Sequence, residues 1–198
     1  FVWYRPKRFY VGNPAGVADI FMGASNGSNT MKEELVFHTI PPVYDENSRV
    51  LLLGTMPSPK SREAGFYYGH PQNRMWKVLG RVFGEETPMG TEARRAFLLR
   101  HRIAMWDVLA ACTIRGAEDS SIGGEVPNDL APLLMQAPIR EIYTTGKKAF
   151  LLYRRYLLPN TGREAVCLPS TSPANCRWET LETLTEAYSV LKKAVEAH

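Results

Sequence analysis

Apolar residues recur along this chain with two alternating periods, and the alternation predicts an order of elements. "RVLLL" (Arg49–Leu53) is a short apolar run bounded by a turn, as expected of a strand buried on both faces of a parallel sheet. "NRMWKVLGRVF" (Asn73–Phe83) has the helical period, with Met75, Val78, Leu79 and Val82 on one side. "TEARRAFLLRHR" (Thr91–Arg102) reads as a helix with a Thr cap and an acidic first turn. "IAMWDVL" (Ile103–Leu109) is a second strand, and the polar, Gly-rich "RGAEDSSIGGEVPND" a loop. A helix opening at Asn128 or Asp129 leads to a third strand, "IREIYTT" (Ile139–Thr145). The helix "GKKAFLLYRRYL", a fourth strand "AVCLP" (Ala165–Pro169) and the long amphipathic "RWETLETLTEAYSVLKKAVEA" complete the chain. Strands alternating with helices pair in parallel through right-handed crossovers. The pattern therefore predicts an α/β fold, a three-layer α/β/α sandwich around a mostly parallel four-stranded sheet. Ligands bind such sheets at the carboxyl ends of the strands. The unusual residues fall there: Gly54–Ser58 after the first strand, and Ser170–Asn175 after the fourth.

Residues 1–30 break the pattern. "FVWYRPKRFY" has no clean period, and "GASNGSNT" has the composition of a flexible linker ending before Met31. One α/β domain is expected over 31–198, with 1–30 an extension, a translated upstream sequence, or a basic aromatic arm that touches nucleic acid. The net charge of +4 hints at a polyanionic partner. Residues 1–30 hold three bases and one acid, so the remainder carries 21 bases against 19 acids, and charge alone does not establish such a partner. No apolar run approaches the roughly 18 residues of a membrane span, so no membrane partner is expected. Cys112, Cys167 and Cys176 are never spaced as CxxC. That predicts a reducing compartment and argues against a disulfide framework and a Cys-ligated metal or iron–sulfur site; a cytoplasmic protein with no cofactor and no metal is the expectation.

Several chemistries are missing: there is no GxGxxG, Walker lysine loop, GxSxG elbow or HExxH. His70 precedes Pro71 in a turn and suits a structural hydrogen bond as well as catalysis. Asp107, inside a strand, fits a buried carboxylate that orients a loop better than a catalytic one. Glu63, Glu118 and Asp119 sit in polar loops. What remains is aromatic and hydrogen-bonding. Phe66, Tyr67 and Tyr68 are suited to sandwich a planar group, with one of them expected to plug the core instead. Asn73 offers two donors and an acceptor, but at a helix start it is also a favoured cap. "PSTSPAN" (Pro169–Asn175) presents hydroxyls and backbone N–H groups before a helix, either as a phosphate cradle or only as that helix's cap. Stacking, amide donors and phosphate contacts together describe a pocket for a flipped nucleotide.

These residues resemble a known family. "LLLGTMPS", "GFYYGHPQNRMW" and "CLPSTSPAN" are similar in order and placement to the motifs of the uracil-DNA glycosylase superfamily. "AMWDVLAACTIRGAEDSSI", "PND" and "YTTGKKAF" resemble its hypoxanthine (deoxyinosine) branch, and the likeness runs from about Arg49 to the C-terminus. It implies a DNA glycosylase that cuts the N-glycosidic bond of a flipped, deaminated or mismatched base in double-stranded DNA; the sequence offers no interface signal, so a monomer is expected. Asn73 maps onto the catalytic asparagine, which binds and orients either a water or the leaving base. Gly54, Thr55, Met56, Pro57, Tyr68 and Ser170 map onto the base pocket, with Tyr68 as the stacking aromatic. Ser58, His70, Ser172, Pro173, Ala174 and Asn175 map onto the DNA-binding surface. Met56 stands where other branches carry a water-positioning Asp or Asn, which disfavours uracil excision. Ala174 stands at the position of an intercalating leucine, so any wedge is short. Three functions stay open: a monofunctional hypoxanthine glycosylase, with Lys60 close enough to raise lyase chemistry; a uracil or thymine mismatch glycosylase; and a catalytically silent nucleic-acid-binding module in which Asn73 only caps a helix.

Overall fold

The computed structural model describes residues 34–114, 122–177 and 179–197; the expectation for residues 1–30 and those for Glu118 and Asp119 fall outside these spans. At its centre is β2 (Val50–Gly54), buried along its whole length. It lies second in the order β3-β2-β6-β7, with β3 spanning Ile103–Asp107, β6 Glu141–Thr145 and β7 Ala165–Leu168. All three pairings are parallel, as the alternation of periods requires. The leucine run is apolar throughout because both faces are covered. Val50 and Leu52 pack among Met75, Val78 and Leu79 of α2 (Met75–Phe83) and Leu184, Tyr188 and Leu191 of α7 (Leu181–Glu196). Leu51 and Leu53 face the other layer, with Leu133 of α4 (Ala131–Gln136) and Leu152 of α5 (Lys147–Leu152).

Two shorter helices complete the frame: α1 (Pro59–Ala64), opened by Ser58 and Pro59, and α3 (Thr91–Arg100). After α5 the chain runs through a wide π-helical turn, Tyr153–Leu157, into α6 (Leu158–Thr161). Thr180 and Thr183 cap each other reciprocally at the start of α7, so that helix begins later than its amphipathic period suggests. The Tyr188 hydroxyl of α7 then donates to the Pro169 carbonyl at 2.8 Å, holding the end of β7.

The second predicted strand is two strands. β3 stops at Asp107, and β4 (Leu109–Ile114) starts after the single residue Val108. Val108 N–H donates to Gly54 O at 2.8 Å and Leu109 N–H to Thr55 O at 3.1 Å, so the chain bends around the end of β2. β4 then joins an antiparallel sheet of order β1-β4-β5, with β1 at Glu34–Phe37 and β5 at Gly123–Pro127. β5 lies in the segment read above as loop; its two glycines, its proline and the register shifts of its pairing hide the period of a strand. The segment after β5 does not begin a helix at Asn128. Asn128 is buried and its amide donates to Asp107 O at 2.9 Å and Leu109 O at 3.0 Å. Asp129 accepts from Ala131 N–H at 3.0 Å, and α4 starts there.

Asn128 is thus the brace of the β3–β4 bend. Asn128→Ala removes both donors and leaves two carbonyls of the bend short of partners. The expected cost is about 1–3 kcal/mol, read as a lower urea midpoint with an unchanged slope.

Candidate active site

The carboxyl ends of all four parallel strands meet at one cavity of about 110 Å³, lined by Gly54 of β2, Asp107 of β3, Thr145 of β6 and Ser170 just past β7. It is small beside the roughly 300–1,000 Å³ of ordinary ligand clefts, so it suits one flat ring system. Thr55, Met56, Pro57, Ser58, Tyr68, Asn73 and Ser172 also line it, so most of the site residues expected from the sequence share one wall or another.

The aromatic loop is pinned by its first two rings. Phe66 and Tyr67 are both buried, so two of the three aromatics enter the core rather than one. Phe66 stacks on Trp76 with ring centroids 5.9 Å apart, and Trp76 Nε1 donates to Tyr67 O at 3.1 Å. The Tyr67 hydroxyl donates to Ile40 O and Pro41 O at 3.2 and 3.0 Å. Burial, and then the nearby Asp107 carboxylate, push its pKa well above the usual tyrosine value, so it stays a donor. Tyr68, which lines the cavity together with Tyr67, has φ at +51°, a left-handed backbone rare for so bulky a residue. Its hydroxyl meets Thr145 Oγ1 at 2.9 Å. Strain of this kind persists only where neighbours over-determine the conformation, and it concentrates at functional sites.

Asn73 joins the two signature loops. Its Oδ1 accepts from Met75 N–H, at the start of α2, and from the Thr171 hydroxyl, both at 2.9 Å. A backbone N–H can only donate, which fixes which end of the amide is oxygen. Nδ2, with two donor hydrogens, has no partner among the described residues, and Asn73 lines the cavity. The neighbouring Arg74 strengthens the joint: its N–H donates to Thr171 O at 3.1 Å, and its guanidinium to Ser172 O and Glu179 O.

On the opposite side Asp107 is 4% exposed, and its Oδ2 takes a hydrogen bond from His38 Nε2 at 2.8 Å. His38 follows β1 and comes from the small antiparallel sheet, held by its own N–H on Ala110 O at 2.8 Å. Gly54 is required beneath this carboxylate. A Cβ there would lie 2.3 Å from Asp107 Oδ1 and 3.1 Å from the Tyr68 hydroxyl.

Other expected residues take different positions. Ser58 caps α1 by accepting from Ser61 N–H at 3.2 Å, while His70 Nδ1 accepts from Gln72 N–H at 3.1 Å and does not line the cavity. Pro173, Ala174 and Asn175 form a short 3₁₀ turn outside it. The loop hydroxyls serve their own backbone: Ser170 accepts from Ser172 N–H at 3.2 Å and Ser172 from Ala174 N–H at 3.3 Å. The Asn175 amide donates to Ser170 O at 3.2 Å. Lys60 pairs with Glu63 at 2.7 Å on the surface, and that contact lowers the Glu63 pKa. Among the described residues no group of three His, Cys, Asp or Glu side chains could hold a metal ion. Sequence reasoning placed neither His38 nor Thr145 at the site, had Thr171 only as one hydroxyl of the segment Pro169–Asn175, and set Asp107 aside. A charged residue at a strand's carboxyl end was the available signal for Asp107; nothing local marks the others.

Comparison with known proteins agrees with this geometry. The family model described as the uracil DNA glycosylase superfamily matches residues 41–192. A curated protein from Methanosarcina acetivorans named hypoxanthine DNA glycosylase is 39% identical over 142 residues, covering 70% of this chain and 87% of its own length. Its namesake from Methanosarcina barkeri is 37% identical over 141 residues, covering 69% and 87%. A solution NMR structure from Methanosarcina acetivorans, described as a candidate uracil DNA glycosylase, superposes with a TM-score of 0.71 at 36% identity. That match covers 83% of this chain and all of the other. With its parallel sheet, its cavity at the strand ends and these matches, the chain belongs to the uracil DNA glycosylase superfamily.

Proposed function

We infer that this protein is a monofunctional DNA glycosylase that releases hypoxanthine from deoxyinosine in duplex DNA and leaves an abasic site. It would act as a monomer in the cytoplasm, on DNA of the nucleoid. The observation that carries this is the state of Asn73: its oxygen is spent on Met75 and Thr171, its NH₂ group has no partner among the described residues, and the residue lines the cavity. Such an amide donates. It is built to bind a group that gains negative charge, not to pull a proton from water.

Cleavage of a purine N-glycosidic bond has that requirement. As the C1′–N9 bond breaks, its electron pair moves onto the base and spreads over the ring nitrogens and O6, while the sugar becomes cationic. Water adds to C1′ and loses a proton to solvent, and the departing base takes one up. Asn73 Nδ2 donates to the base as its charge grows, so the transition state is stabilised more than the ground state. Met56, 8% exposed and packed among apolar side chains, offers no acceptor for a water, which suits a reaction driven from the leaving-group side. Tyr68 covers a face of the flipped base, where stacking contributes on the order of 1–3 kcal/mol. The names of the two curated relatives support hypoxanthine as the base. The surface turn Pro173–Asn175 and the loop Ser170–Ser172 would meet the DNA backbone, with Ala174 too short to fill the gap left in the stack.

Single-turnover release from duplexes bearing deoxyinosine, deoxyuridine or a G·T mismatch tests this assignment. Release of hypoxanthine is expected, and Asn73→Ala is expected to slow it about 10²–10³-fold with binding retained. Uracil or thymine release without hypoxanthine release overturns the choice of base. Tight binding without any release overturns the enzyme itself. A second outcome follows from the crowding at the cavity floor: Gly54→Ala displaces Asp107 or Tyr68, and hypoxanthine release falls about 100-fold while melting shows the fold intact.

A further inference from the structure

We propose that Thr171 is a positioning residue for the reaction, its buried hydroxyl holding and polarising the Asn73 amide so that the amide donates more strongly to the departing base. This rests on the glycosylase function argued above. Three hydroxyls stand in a row on the loop after β7, and two of them stay within it: Ser170 accepts from Ser172 N–H, and Ser172 from Ala174 N–H. Thr171 lies between them, and its hydroxyl is the one of the three that reaches the other signature loop, donating to Asn73 Oδ1 at 2.9 Å. Thr171 is 1% exposed, so bulk water does not compete for that hydrogen. The direction of the bond is settled by Met75, whose N–H also donates to Oδ1 at 2.9 Å and marks that atom as the carbonyl oxygen.

Two effects follow from this arrangement. A planar amide held by one hydrogen bond at its oxygen can still swing about that bond, whereas a second donor from another segment of the chain fixes its plane. Each donor on the oxygen also draws electron density from the amide nitrogen, and hydrogen bonds in a chain strengthen one another in a low dielectric. Nδ2, with no partner among the described residues, is thereby the stronger donor. The loops do not need the Thr171 hydroxyl in order to stay together. Arg74 N–H donates to Thr171 O at 3.1 Å, and the Arg74 guanidinium donates to Ser172 O at 3.2 Å and to Glu179 O. The main chain is thus tied without the Thr171 side chain, which leaves the hydroxyl free to serve Asn73. Threonine suits the task better than serine, because a branched Cβ restricts χ1 and holds the hydroxyl in one direction.

The test is a double-mutant cycle on single-turnover release of hypoxanthine from a 2′-deoxyinosine duplex, with enzyme concentration varied to separate the maximal rate from half-saturation. Thr171→Val keeps the shape of the side chain and removes the donor. It is expected to lower the maximal rate about tenfold or more while half-saturation stays within about twofold. In the Asn73→Ala background no amide remains to be held, and the same change is expected to cost less than about twofold. Thr171→Ser restores the donor and is expected to recover most of the rate. Should the valine variant fail to fold, Thr171→Ala carries the same expectations; should Asn73→Ala be too slow to measure, the comparison of serine with valine decides. An equal loss in both backgrounds, or Thr171→Ser as slow as Thr171→Val, marks a merely structural loop residue and overturns the proposal. So does a Thr171→Val enzyme as fast as the wild type, and all three results leave the glycosylase standing. Failure of the wild type to release hypoxanthine, or undiminished release by Asn73→Ala, instead overturns the function or the assignment of Asn73 on which the proposal rests.

Discussion

The register of β2 against β3 is the constraint on which the site depends, and the apolar pattern does not set it. Val50 to Leu53 are buried on both faces, so a strand slipped by one residue would still bury leucines. What selects the register is the strand's end. Gly54 lies opposite Asp107, and the carboxylate occupies the volume that any side chain at residue 54 would need. Slipped one way or the other, Leu53 or Thr55 would stand against that carboxylate. The same register brings Val108 and Leu109 N–H onto the Gly54 and Thr55 carbonyls, satisfying backbone groups that the end of a buried strand would otherwise leave unpaired.

From that fixed end the two signature loops behave as one body. Asn73 and Arg74 of the first are bonded to Thr171 and Ser172 of the second, and Arg74 also reaches Glu179 before α7. α2 and α7 pack on the same face of the sheet, so helix packing and loop bonding reinforce each other. The strained backbone of Tyr68 sits within this frame. Trp76 holds the preceding carbonyl, two carbonyls hold the Tyr67 hydroxyl, and Thr145 meets the Tyr68 hydroxyl. The Tyr68 ring is therefore held in place by folding, so ordering it adds little cost to binding a ligand in the cavity.

Polar groups of several kinds converge on the cavity at the strand ends. Asn73 brings an amide to its wall and Asp107 a carboxylate paired with His38, with the Tyr68 ring and Met56 also lining it. The small antiparallel sheet takes part in this: it delivers His38 to Asp107 and, through β4, shares the bend that Asn128 braces.

The helical and apolar periods of the chain determined the parallel sheet, its covering helices and the location of the pocket. These are consequences of local pattern: a short run of leucines must be covered on both faces, and parallel strands need crossovers. Gly54–Ser58 and Ser170 were legible for the same reason, as special residues at strand ends, while Tyr68 stood out in an aromatic loop and Asn73 as an amide at a helix start. The small sheet was not, because glycines, a proline and register shifts erase the period of β5. Nor were the pairings that give the site its chemistry. His38 meets Asp107 across 69 positions and Thr171 meets Asn73 across 98, and no local period records such a contact. Whether Asn73 caps a helix or faces a substrate was likewise undecided in the sequence. The fold shows the cap and more: its oxygen serves both the helix start and the neighbouring loop, a joint that the position of Thr171 alone could supply, and the residue lines the cavity.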